Sequence, residues 1–343
     1  MSRPAANVLR LGAIVLLGLG AGVACANGDA RDAEDAPATV THLTTEAVTV
    51  VPTTRPPEPF SGPQQRFPPY EPPVGDIFPN GKRLAGRIAQ ELATFGPDAD
   101  AAELAEVDGA PPGLERVVSP LLEPSRRSAG EVLYVQISGL TATTLGTMVV
   151  VRQHLEDGEG RREQVVRVMD VRLRRTDGPW MLDRVDSVGG SPVPRPSNVS
   201  RAAARVLDHP NIELADTARW DIYRGVVGED LLRTLAEVGD RRRLAITVFR
   251  TGHPRNVWAA GRVSAHTIGR AADIYAVDGV PVVRQRTDGS SAQQLAAAFL
   301  ARGARQVGSP WVIRPGGRRS FTDRVHQDHL HVDIGSGAPS PQA

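Results

Sequence analysis

Two short segments concentrate the residue types that bind a divalent metal or move a proton. One reads Ser264-Ala-His266-Thr-Ile-Gly269-Arg270-Ala271-Ala-Asp273, the other His326-Gln-Asp328-His329-Leu-His331-Val-Asp333-Ile. Catalytic zinc takes three protein ligands from His and Asp/Glu and keeps a water in the fourth position, which lowers that water's pKa to about 7. Two imidazoles and one carboxylate on the metal leave a further imidazole for proton transfer. These types therefore point to hydrolysis assisted by Zn2+. Four of the eight histidines of the chain, His266, His326, His329 and His331, fall in the two segments, which scattered packing or surface histidines would not do.

The spacing places them on elements. His329 and His331 are two apart, and Leu330, Val332 and Ile334 alternate with polar residues, the pattern of a half-buried strand. Successive strand side chains leave on opposite faces, so both imidazoles share one face while the apolar residues enter a core. His266 and Asp273 flank a loop-like Gly269, and Asp273 opens the apolar run 274–277. A loop residue and a strand-start residue converge if the chain makes a hairpin-like turn.

In these residues the chain resembles the superfamily that unites lysostaphin-type peptidases, D-alanyl-D-alanine carboxypeptidases and the hedgehog signalling domain: Ser-x-His-x-x-Gly-x-Ala-x-Asp, then a distant His-x-His. The resemblance covers residues 244–335. It implies an antiparallel-sheet zinc peptidase-like domain in which His266, Asp273 and His331 bind zinc and His329 is catalytic. His326 matches the His-x-x-His-x-His run of penicillin-insensitive murein endopeptidases and is implied as a second proton carrier. Asp328 stands where many of the carboxypeptidases have Glu, which favours the His-dependent mechanism. An arginine shortly upstream of the first ligand commonly faces substrate in this superfamily. Arg250 holds a similar place, and its guanidinium suits a terminal carboxylate, although a structural salt bridge accounts for it equally well. His253, in Thr-Gly-His-Pro, is expected as a loop residue outside the ligand set, which is complete without it. The implied substrates are the stem peptides or cross-links of peptidoglycan, cut at an amide bond. Because hedgehog-like members hold the metal without need of turnover, a non-catalytic zinc-containing wall-binding or assembly lipoprotein is the alternative.

The rest of the chain must carry and position this site. Its 343 residues suffice for two domains, and 40 basic against 39 acidic residues give no bulk attraction to nucleic acid. Arg3 and Arg10 precede an apolar run over 11–24 and then Cys25, which reads as a signal peptide over 1–25. Cys25 is the sole cysteine, so no disulfide forms within the chain. It is a candidate for lipidation, which would tether an exported protein to the membrane of the cell envelope; ordinary cleavage to a free exported protein is the other reading. Residues 26–76, rich in Pro and Thr, read as a disordered tether.

The expected fold class is α+β in two domains. Residues 77–190 combine helical spacing at Leu84, Ile88 and Leu92, a second helix from Leu114 limited by Pro120, and four strand-like runs over 132–137, 148–152, 165–173 and 180–188. That order resembles cystatin-like or nuclear-transport-factor-like (NTF2-like) domains. It contains no catalytic constellation, and His154 in it reads as a lone surface residue; a third reading of the chain makes this unit a partner-binding module that the second domain positions. The Gly/Pro-rich stretch 189–196 reads as a hinge. The zinc peptidase-like domain then runs over 197–336, with a helix from 201 capped by Ser197 or Asn198, and 337–343 form a tail.

Overall fold

The computed structural model describes residues 60, 62–258, 260–314 and 317–335. The signal peptide, Cys25, most of the proposed tether and the tail lie outside the described residues. No helix among the described residues is long and apolar enough to cross a membrane.

Helix α1 (Pro79–Leu92) opens with proline in its first turn, where the missing N–H costs nothing, and buries Ala85, Ile88, Ala89 and Leu92. Two short helices follow, α2 (Ala101–Leu104), capped by the Asp100 carboxylate, and α3 (Leu114–Val118), which stops two residues before Pro120. Strands β1 (Arg126–Leu140), β2 (Thr144–Asp157), β3 (Arg162–Arg174) and β4 (Met181–Ser187) form an antiparallel meander in that order, each of the first three longer than its apolar run alone suggests. Apolar residues occupy both faces. Val135, Ile137, Val149 and Met169 pack under the helices, whereas Tyr134, Met148, Val150 and Val168 face the opposite way.

The second sheet is built from α4 (Arg201–Leu207), β5 (Ile212–Leu214), α5 (Asp216–Tyr223), α6 (Glu229–Gly239), β6 (Leu244–Val248), β7 (Ala271–Val277), β8 (Val280–Pro281), α7 (Ser291–Ala301), β9 (Gln306–Gly308), β10 (Ser320–Phe321) and β11 (Leu330–Asp333). Its strand order is β10-β9-β11-β7-β6-β5, with β8 on β7. The sheet is mixed rather than antiparallel throughout, because β5 and β6 run parallel, as do β9 and β10. The reason lies in α5 and α6: a helical crossover between two neighbouring strands returns the chain in the same direction. The cap of α4 is Ser200, whose hydroxyl accepts from Ala203 N at 3.1 Å, in place of Ser197 or Asn198.

One face of the second sheet, through Ile246, Ile274, Leu330 and Val332, packs on α4, α6 and α7. Its other face meets the first sheet through Val248 and Tyr275 against Tyr134 and Met148. The described residues thus belong to one compact unit, with helices outside and two sheets face to face within. The stretch 189–196 does not part them: Arg167 donates to Gly190 O at 2.5 Å and Thr217 Oγ1 to Gly189 O at 3.2 Å. Residues 62–76, read above as tether, lie along α1 and β1, where Gln64 Nε2 donates to Phe95 O at 3.1 Å and Gln90 Nε2 to Phe67 O at 3.1 Å. His154 is half-buried, stacked on Phe67 with ring centroids 4.4 Å apart.

Candidate metal centre

The antiparallel register of β11 and β7 sets His331 directly opposite Asp273, so their side chains emerge as neighbours on the face toward the first sheet. The turn before β7 brings in His266, whose backbone N–H donates to Ser264 Oγ at 3.3 Å. The three side chains meet in a near-equilateral triangle. His266 Nε2 lies 3.1 Å from Asp273 Oδ1 and 3.1 Å from His331 Nδ1, and His331 Nδ1 lies 3.0 Å from Asp273 Oδ1.

The donor set fits a metal. His266 Nδ1 sits 2.6 Å from Phe249 O, which can only accept, so the ring proton of a neutral imidazole is there and Nε2 presents a lone pair. That lone pair faces a carboxylate oxygen in a buried site, two acceptors that a cation between them would reconcile. Donors about 2.0–2.1 Å from a tetrahedral zinc stand about 3.3 Å from one another, close to the triangle seen here. Burial pushes His331 down to about 4 in spite of Asp273, so this imidazole is neutral at ordinary pH. Burial alone would raise Asp273, but His266 and His329, in their protonated forms, outweigh it and hold the carboxyl well below the usual carboxylate range; a cation in place of those protons would do the same. Both are in the protonation state that ligation requires.

His329 stands beside the triangle and differs from its members. Its Nδ1 is 2.7 Å from Asp328 Oδ1 and its Nε2 is 3.8 Å from Asp273 Oδ2. An Nδ1–H donated to Asp328 leaves Nε2 on the cavity side, the orientation of a general base. Burial lowers the His329 pKa, yet the carboxylates of Asp273 and Asp328 outweigh it and the net shift is upward. The other oxygen of Asp328 accepts from Lys82 Nζ at 2.6 Å and from Ile137 N at 3.0 Å, and Tyr134 Oη donates to Asp328 O at 2.8 Å. His326 borders the same space, its Nδ1 2.8 Å from Asp323 Oδ1 and its ring 5.0 Å from that of His329. It needs Gly308 opposite, because a Cβ there would stand 2.6 Å from His326 Cδ2.

His253 and Arg250 are placed differently from expectation. His253 does not sit apart: its ring stacks on His266 with centroids 3.9 Å apart and planes 15° apart, and it can join His266 and Asp273 as a group offering ligand atoms within 4.8 Å of one another. Parallel stacking puts it over the face of His266 and not in the ring plane where the lone pair lies, so His331 makes the tighter third corner. Arg250 is exposed and does not line the cavity. The turn after β6 is held by Asp221, whose carboxylate accepts from the N–H groups of Arg250 and Thr251 at 2.9 and 2.8 Å, and the guanidinium is directed outward; Arg262 and Arg270 line the cavity instead.

Asp273 and His331 border a cavity of about 260 Å³, together with His253, His326, His329, Ile137, Leu140 and Trp258, while His266 is buried behind them. Trp258 packs on Gly139 and Gly146, paired across β1 and β2; a Cβ at Gly139 would lie 2.1 Å from the indole. Gly139→Ala is expected to displace Trp258 from the cavity wall, at a cost of about 1–3 kcal/mol in stability; thermal denaturation checks this.

Sequence reasoning passed over Lys82, Tyr134, Gln136 and Ile137, all from the first sheet and its helix. One signal was present, since Lys82 is the only lysine among 40 basic residues. No family model matches the chain, and neither a curated protein nor a solved structure matches it.

Proposed function

We propose that the protein is an exported zinc-dependent peptidase that cuts amide bonds in the peptides of peptidoglycan. The observation that carries this reading is the convergence of His266 Nε2, Asp273 Oδ1 and His331 Nδ1 within 3.0–3.1 Å of one another, at the edge of a cavity that also receives His329. Those three residues would hold the zinc. When bound, it supplies an acidified water and polarises a carbonyl. His329 Nε2, held toward the cavity by Asp328, takes the proton of the attacking water and returns it to the leaving amine. His326, oriented by Asp323, borders the same space as a second proton carrier. The apolar wall of Ile137, Leu140 and Trp258 excludes water and suits small aliphatic side chains, while Arg262 offers charge to a substrate carboxylate; Arg270 on the same cavity is paired with Asp333 Oδ2 at 3.2 Å. The choice of peptidoglycan rests on the likeness of the two motifs to wall peptidases and on the leader ending at Cys25, with lipidation there as the proposed anchor. We likewise propose that the first sheet with its helices is an NTF2-like or cystatin-like unit and the second a zinc peptidase-like one.

The test is release of peptides from purified wall fragments. Wild type with zinc is expected to be active, and His329→Ala is expected to lose about 10²–10⁴-fold in turnover while retaining one zinc per chain. Absence of any zinc-dependent release by the wild type would refute the enzyme reading.

A second reading draws on His253. Were it a fourth protein ligand, the shell would be closed, as in structural zinc sites, and the protein would bind wall or partner without turnover. His253→Ala separates the two: the enzyme reading expects zinc affinity within about threefold of wild type, the closed-site reading a loss of two or more orders of magnitude.

A further inference from the structure

We propose that Gln136 is a positioning residue for the metal-binding carboxylate of Asp273, so that the first sheet is an obligatory half of the metal centre and not a separate binding module. This rests on the zinc-site reading above and extends it to a part of the chain that shares no motif with it.

Gln136 is fully buried on β1, on the face toward the second sheet beside Tyr134. An amide buried among apolar neighbours is costly unless both of its ends are bonded. Here both are. Gln136 Nε2 donates to Asp273 Oδ2 at 2.8 Å, and Gln136 Oε1 accepts from the Thr247 hydroxyl at 2.6 Å. The reversed amide would turn a carbonyl oxygen toward the Asp273 carboxylate, which can only accept, so the carboxylate selects the orientation and the Thr247 hydroxyl, able to donate or accept, follows it. The division of labour within Asp273 follows: Oδ2 is tied to the first sheet, and Oδ1 alone faces His266 and His331. Among the described residues, the only other group aimed at Oδ2 is His329 Nε2, at 3.8 Å.

The tie to the first sheet is double. Lys82, Ile137 N and Tyr134 hold Asp328 as Gln136 holds Asp273, so both carboxylates around the histidines are set by residues 137 and 191 or more positions away in sequence. Outer-shell partners of this kind typically govern metal affinity by 10–100-fold.

The experiment uses the full chain and reads metal binding, not turnover. Zinc and cobalt(II) are titrated into wild type, Gln136→Leu and Thr247→Val, with circular dichroism and melting of the metal-free proteins as controls for folding. Gln136→Leu is expected to bind zinc about 10–100-fold more weakly and to shift the visible d–d bands of bound cobalt. Thr247→Val, which frees the amide without removing it, is expected to show a smaller change in both. If Gln136→Leu does not fold, Thr247→Val carries the test alone. Zinc affinity within twofold of wild type and superimposable cobalt spectra, in a folded variant, overturn the proposal. A wild type that binds neither ion at one per chain overturns the zinc-site reading, and this inference with it.

Discussion

His331→Ala is expected to lower zinc affinity by about 10²–10³-fold. Zinc bound by four protein ligands is worth about 10–16 kcal/mol, so each ligand accounts for about 2.5–4 kcal/mol. His331 is one corner of a three-residue set, and its loss leaves Asp273 Oδ1 and His266 Nε2 facing each other at 3.1 Å. The loss also shows in stability. A ligand at 100 times its dissociation constant stabilises the folded state by about 2.7 kcal/mol, so zinc is expected to raise the melting temperature of the wild type and a chelator to reverse the gain. The variant, at the same zinc concentration, is expected to melt at the temperature of the metal-free wild type. Calorimetric titration with zinc and melting curves with and without chelator measure both effects; an unchanged dissociation constant for His331→Ala would remove this histidine from the ligand set.

Lys82→Met is expected to cost about 3–5 kcal/mol of stability, the usual consequence of leaving a buried partner uncompensated. Lys82 is 0% exposed, and its ammonium donates to Asp76 Oδ1 at 2.7 Å, Asp76 Oδ2 at 2.8 Å and Asp328 Oδ2 at 2.6 Å, which uses all three of its protons. Melting should fall by roughly 6–20 °C, at about 2–4 °C per kcal/mol. The pH dependence gives a sharper signature. Burial pushes Asp328 up, but the Lys82 charge and the bond from His329 outweigh it, and the carboxyl titrates below its ordinary value. A carboxyl depressed on folding adds stability above its unfolded pKa and loses it as pH falls through its folded pKa. Without Lys82 the principal opposing charge is gone and the folded pKa rises. The stability gap between wild type and Lys82→Met, measured on metal-free protein, should therefore be widest near neutrality and narrow as pH falls toward about 4. A gap that stays constant across that range would mean that the lysine contributes packing alone.

Recognition of the site from the chain alone was a matter of local pattern. The alternation through Leu330, Val332 and Ile334 places His329 and His331 on one face whatever they meet, because strand side chains alternate by geometry. The same holds for the end of α3 before Pro120, where a missing N–H acts within one turn. Elements whose direction depends on a crossover were harder: β5 and β6 run parallel because of the helices between them, which no period in either strand announces.

What the sequence determines by itself, then, is the identity of the histidines and aspartates and the faces on which β7 and β11 present them. What only the tertiary structure decides is the register that sets His331 against Asp273, the stacking of His253 on His266, the outward course of Arg250, and the supply of Lys82 and Gln136 from the opposite sheet. Local periodicity reports which way a side chain leaves its own backbone. The partner it meets is chosen by sheet pairing and packing between segments more than a hundred residues apart. Lys82 shows the point: its compact ammonium, with three donors, bridges the carboxylates of Asp76 and Asp328, which no spacing in the sequence brings together.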